Sequence, residues 1–146
     1  MGLDPVIIGF LGRALSFELS AVQQYLSLSN LMQTKGLVRE AEKFKTEAQE
    51  EMNHVERIIS RLIGLGCAPN ASHLRPTRLH GSLVQILQNT SEMEKEAVQL
   101  YEQAVDYCDK QNDVESKFFF KILLKEEQEH HLEMESLVKN ISNCVV

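Results

Sequence analysis

Shifted by 76 residues, the chain matches itself. Glu18-Leu19-Ser20-Ala21-Val22-Gln23-Gln24-Tyr25 falls on Glu94-Lys95-Glu96-Ala97-Val98-Gln99-Leu100-Tyr101, with five of eight positions identical. The same offset carries Glu51 onto Glu127 and His54 onto His130, so each half holds one Glu and, 33 residues later, a Glu-x-x-His pair. Whatever this chain folds into must contain one local structure twice. In a helix, residues three apart share a face one turn apart, so the Glu and His of each pair can reach a common point.

The surrounding sequence is helical. Asp4-Pro5 is a capping residue followed by a first-turn proline, and Gly36 is a stop, which predicts a first helix over about residues 5–34. A second helical pattern, with Phe44, Ala48, Val55, Ile58 and Leu62 at helical spacing, runs over about 38–64 and ends at Gly64 and Gly66. From Cys67 to Gly81 prolines and small polar residues replace the periodicity. Helix three is expected from Ser82 to 107–109, and helix four, after Lys110-Gln111-Asn112-Asp113, over 114–140.

The loop of about 15 residues is longer than the two to eight that join ordinary helix hairpins. Extended, it spans roughly 50 Å, whereas a helix of about 27 residues is roughly 40 Å long, so it can return along a whole helix. The fold expected is all-α: an antiparallel four-helix bundle with a long crossover between helices 2 and 3, as one domain over residues 1–146.

Bulk properties exclude several functions. With 21 acidic against 15 basic side chains the net charge is -6, which lacks the footprint of a phosphate-backbone binder, so no nucleic acid is expected. The N-terminus has no basic region before its apolar stretch and no Ser or Thr at position 6 for myristoylation, and no window reads as a membrane-spanning run. Cys67, Cys108 and Cys144 make an odd number without a Cys-x-x-Cys pair, as expected of reduced thiols in a cytoplasmic protein.

A lone Glu on a helix is ordinarily a solvated surface residue. Six matching positions read differently. Glu18, Glu51, Glu94 and Glu127 each lie about 12 or 13 residues into their helices, near mid-height. If they point inward, four carboxylates crowd a low-dielectric interior and must be neutralised. Arg57, Lys95 and Lys125 stand about 100° or more from the acidic positions, which supplies a buried salt-bridge network poorly. Two divalent cations would balance four glutamates. With His54 and His130 as nitrogen ligands, the set suits iron, manganese or zinc rather than calcium.

One Glu from each of two helices plus Glu-x-x-His from the other two is the ligand set of the ferritin-like carboxylate proteins. From Pro5 to about Asn140 the chain resembles the bacterioferritin family, most closely in Glu18 to Tyr25, in Glu50-Glu51-Met52-Asn53-His54 with Leu62 to Pro69 after it, and in Glu126-Glu127-Gln128-Glu129-His130. The resemblance implies a ferroxidase: two iron ions per subunit bind as Fe(II) to Glu18, Glu51, His54, Glu94, Glu127 and His130, with Glu51 and Glu127 bridging. They are oxidised with dioxygen or peroxide and leave as Fe(III) for storage. It also implies a part for Tyr25, two turns after Glu18, in hydrogen bonding or electron transfer, whereas Tyr101 reads as core packing.

Met52 points about 160° away from His54. By resemblance it would ligate a haem b shared between two subunits, although Lys45, Gln49 and Glu56 on that face are polar. The family builds homodimers into a 24-subunit cage whose channels are lined by a fifth helix, for which the residues after 140 leave no room. Two other readings stand beside the first. One is a different di-metal oxidoreductase, a rubrerythrin-like peroxidase or manganese catalase. The other is a non-enzymatic bundle that binds partners or holds zinc for stability.

Overall fold

The computed structural model describes residues 2–144. The element order is α1 (Pro5–Thr34), α2 (Val38–Gly64), α3 (Leu83–Lys110) and α4 (Val114–Cys144), with no strand among the described residues. Each boundary has a chemical cause. Asp4 caps α1 by accepting from the Val6 amide at 2.9 Å, with Pro5 in the first turn. Ser82 and Gln85 cap α3 reciprocally, Ser82 Oγ accepting from the Gln85 amide and Gln85 Oε1 from the Ser82 amide. Gly81, at φ 95°, precedes that box, and a Cβ there would collide with the Gln85 side chain. Asp113 starts α4 by accepting from the Ser116 amide and hydroxyl.

Three helices end in the same way. Gly36, Gly66 and Asn112 take left-handed φ of 74°, 79° and 57°. After each, an amide reaches back five residues, Leu37 to Met32, Cys67 to Leu62 and Asp113 to Cys108, closing the last turn and satisfying carbonyls that would otherwise lack partners. Gly36 and Asn112 are themselves 76 residues apart, so the repeat includes its stop signals. Helix α4 continues past the expected end at 140, because no glycine or proline interrupts Val138 to Cys144. It is the last helix among the described residues.

The chain divides into two compact units, one up to Leu79 and one from His80 onward. In the first, α1 and α2 pack antiparallel. Tyr25 stacks on Phe44 with ring centroids 6.2 Å apart, and the Ser29 hydroxyl donates to the Ala41 carbonyl at 2.7 Å. In the second, α3 and α4 pack antiparallel, with Tyr101 and Phe120 6.3 Å apart, the same pair one repeat later. All four rings are at most 1% exposed. Burial of a large aromatic of this kind contributes about 2–3 kcal/mol.

The long connection is a strap sewn onto α1. The Gln24 amide both accepts from the Arg78 amide, at 2.8 Å, and donates to the Arg78 carbonyl, at 3.2 Å. Ser20 Oγ accepts from the Arg75 amide at 2.9 Å, and the Arg75 guanidinium lies 5.0 Å over the Phe17 ring. Phe17, Ser20 and Gln24 form one row at helical spacing, so the strap follows α1 toward its C-terminal end, the direction a crossover requires.

One expectation is corrected. Helix α1 contains an 18-residue window of mean hydropathy 1.4, apolar and long enough to cross a membrane, and 61% of that window is buried in the fold. The cause is a helix covered on two sides, by α2 and by the strap, so that it needs apolar or small residues over most of its circumference.

Candidate metal centre

Each hairpin assembles half of the predicted ligand set. In the first, Glu18 comes from α1 and Glu51 and His54 from α2, and one ligand atom from each lies within 4.8 Å of the others. His54 Nδ1 stands 3.4 Å from a Glu18 oxygen and 3.4 Å from a Glu51 oxygen. In the second, Glu94 comes from α3 and Glu127 and His130 from α4, again within 4.8 Å, and His130 Nδ1 is 3.8 Å from a Glu127 oxygen.

These spacings fit a metal ion. Two donors each about 2.1 Å from one ion, at angles between octahedral and tetrahedral, stand about 3–3.4 Å apart. The first triad has that separation already, and the second lies a few tenths of an ångström outside it. Burial makes the case stronger. Glu18 and Glu51 are 0% exposed, Glu94 and Glu127 1%. Acids are almost never fully buried unless something compensates their charge, and neutral imidazoles cannot do so alone. A cation held by oxygen and nitrogen donors can.

The other candidates fall elsewhere. Tyr25 lies two turns beyond Glu18, 1% exposed, and Tyr101 is equally buried. His131 leaves the site and pairs with Glu135 at 3.3 Å, while His73 and His80 are exposed on the strap. Met52 is 39% exposed, turned away from Glu51 and His54. Gln49 and Glu56, one turn either side of Met52, and Lys45, two turns before it, are exposed and polar.

Two features escaped the sequence reading. Glu47, one turn before Glu51 on the same face of α2, is a further buried carboxylate, 7% exposed. The i−4 spacing was the available signal, masked by the run of acids around it. Ser20 and Gln24 were read only as part of the repeat, yet they anchor the strap.

Comparison with known proteins agrees with this architecture. The sequence profile of the ferritin-like domain matches residues 8–144, and the chain belongs to that family. Within it, the chain is 36% identical to the bacterioferritin of Rhodobacter capsulatus over 87% of its own length and 79% of the relative's. It is 34% identical to the bacterioferritin of Brucella melitensis over the same shares, and 31% to that of Streptomyces coelicolor over 89% and 77%. The Rhodobacter capsulatus bacterioferritin structure, described with a metal-free dinuclear site and haem iron, superposes with a TM-score of 0.91 at 34% identity, covering 98% of this chain and 89% of that one. The chain is a member of the bacterioferritin branch and shares its four-helix bundle fold.

Proposed function

We propose that the protein is an iron-storage ferroxidase, a single ferritin-like domain in which each hairpin's triad holds one iron ion. The observation that carries this reading is the repetition: two buried Glu, Glu, His sets, each with ligand atoms within 4.8 Å, built by the same stretch of sequence twice. Glu18, Glu51 and His54 would hold one Fe(II) substrate ion and Glu94, Glu127 and His130 the other. Four carboxylates neutralise two divalent ions and favour the higher charge of Fe(III), which lowers the cost of oxidation.

Each Fe(II) gives up one electron. The pair reduces dioxygen, with two protons, to hydrogen peroxide, or reduces peroxide to water. The protein's part is to hold each ion, exclude other water from it and supply hard oxygen donors to the products. Tyr25 is buried two turns from Glu18 against Phe44, and in this reading it orients a ligand or passes an electron. Haem has no step in this reading. The cytoplasm is the proposed location, and assembly into dimers and then a cage is what storage requires.

Stopped-flow absorbance after mixing with aerobic Fe(II) tests the proposal. Rapid oxidation is expected, with at least a tenfold lower initial rate in Glu18→Ala and in His130→Ala. Unchanged rates in both variants overturn the site. Peroxide consumption without Fe(II) turnover, with manganese in the purified protein, would instead indicate a catalase.

A further inference from the structure

The charges of this acidic chain are segregated. All six arginines, at positions 13, 39, 57, 61, 75 and 78, lie in the first 78 residues, and none lies after them. Residues 5–39 and 57–91 together hold seven of the chain's 15 basic side chains and one of its 21 acids, Glu18, which is 0% exposed. Helix α1 belongs to the first stretch and the strap to the second, and the bonds of Ser20 and Gln24 hold them face to face. The surface they form is basic, on a protein whose other residues carry eight basic against 20 acidic side chains.

The arginines of this face stand in a ladder. Phe10, Arg13, Phe17, Ser20 and Gln24 form one row of α1 in steps of three and four. The Arg13 guanidinium lies 4.7 Å over the Phe10 ring and that of Arg75 5.0 Å over Phe17, while both backbone groups of Arg78 are bonded to Gln24. Phe10, Phe17 and Gln24 are seven residues apart, so three arginines are set at levels about 10.5 Å apart along the helix. A ring beneath a guanidinium holds it in place and leaves its fork of N–H donors at the edge, a shape that matches a carboxylate. Val6, 42% exposed, continues the row toward the N-terminus, and Leu74, 58% exposed, is next to Arg75 in the strap.

We infer that this face docks a partner protein through an acidic amphipathic helix lying along α1. Carboxylates at every seventh residue of that helix stand opposite Arg13, Arg75 and Arg78, with apolar side chains over Val6 and Leu74. Seven residues of any α-helix rise about 10.5 Å, so such a partner repeats at the interval of the ladder. Other polyanions fit less well. Each strand of duplex DNA sets a phosphate about every 3.4 Å, roughly three times denser than the ladder. The net charge of -6 also repels whatever length of it lies beyond the face. An anionic bilayer finds few apolar side chains here to take up. A second copy of this chain is not the complement, because no three of its carboxylates follow one another at seven-residue intervals. Charge complementarity therefore selects the partner, and the inference does not depend on the iron chemistry.

Fluorescence anisotropy of a labelled synthetic helix titrated with the full chain tests it. The probe is an alanine-based peptide of about 20 residues with three glutamates at seven-residue spacing and leucines between them. The control has the same composition with the glutamates five residues apart. At low salt the probe should bind at least fivefold more tightly than the control, and added salt should weaken it. Arg13 and Arg75 are both exposed, so Arg13→Glu and Arg75→Glu should fold, and each should weaken binding roughly tenfold. Lysine in place of one terminal glutamate of the probe should restore binding to Arg13→Glu, and lysine in place of the central one to Arg75→Glu. Equal binding of probe and control, no binding, or charge swaps without effect or without rescue would each overturn the inference. So would tighter binding to duplex DNA or to phosphatidylserine vesicles than to the probe. Fe(II) oxidation measured in the same variants tests the ferroxidase proposal separately, since neither touches a triad.

Discussion

His54 Nδ1 lies 3.4 Å from a carboxylate oxygen of Glu18, a contact that reaches from α2 to α1 and brings together donors from two helices. Gathering buried acids in this way costs stability in the absence of a cation. Binding of a divalent ion to the folded state alone should recover it. At 100 times its dissociation constant an ion adds about 2.7 kcal/mol, which for a chain of this size raises Tm by roughly 5–10 °C. Anaerobic calorimetry with Co(II) should show that rise in the wild type and less than half of it in Glu94→Ala. A Tm indifferent to Co(II) would speak against the site.

Much of this was legible because the chemistry is repeated. The 76-residue offset exposed the six candidate ligands without reference to any fold, and Asp4-Pro5, Gly36, Gly66 and Ser82 punctuated the helices within a residue or two. What stayed hidden was the nature of the covering partner. Ser20 and Gln24 look like ordinary polar helix residues, and only the strap makes them anchors. For the same reason α1 carries a membrane-like window, since a helix covered by both a neighbour and a strap has little polar face left. Glu47 was concealed in an acidic run, where sequence gives no sign of which carboxylate turns inward.

The strap yields a local prediction. Gln24→Ala removes both hydrogen bonds to the Arg78 backbone and should cost about 1–3 kcal/mol. Hydrogen exchange should accelerate at the Arg75 and Arg78 amides and stay unchanged in α4. Uniform acceleration through both hairpins would mean that the strap is part of the global fold and not a separable unit.

The two tyrosines separate packing from chemistry. Tyr25→Ala and Tyr101→Ala should each cost about 3–5 kcal/mol by chemical denaturation, because both rings fill equivalent buried positions. Tyr25→Phe should slow Fe(II) oxidation severalfold while Tyr101→Phe leaves it near wild type. Equal slowing in both would assign Tyr101 a chemical part as well.

At the turn between α3 and α4, the Lys117 ammonium, 2.6 Å from the Asp109 carboxylate, holds that acid below the usual carboxylate value by hydrogen bonding and charge attraction. An acid whose value is lower folded than unfolded lends stability above its unfolded value and loses it as pH falls through the folded one. Both groups are on the surface, so the effect on stability is small. An NMR titration should find Asp109 below the ordinary value in the wild type and back near it in Lys117→Ala. No difference between the two proteins would show that the pair does not form in solution.

The account rests on two metal ions per chain, one at each triad. A crystal soaked anaerobically with Fe(II), with anomalous scattering measured at the iron edge, tests this most directly. Two peaks are expected, one against Glu18, Glu51 and His54 and the other against Glu94, Glu127 and His130. Density at neither triad, with iron only on surface carboxylates, would contradict it.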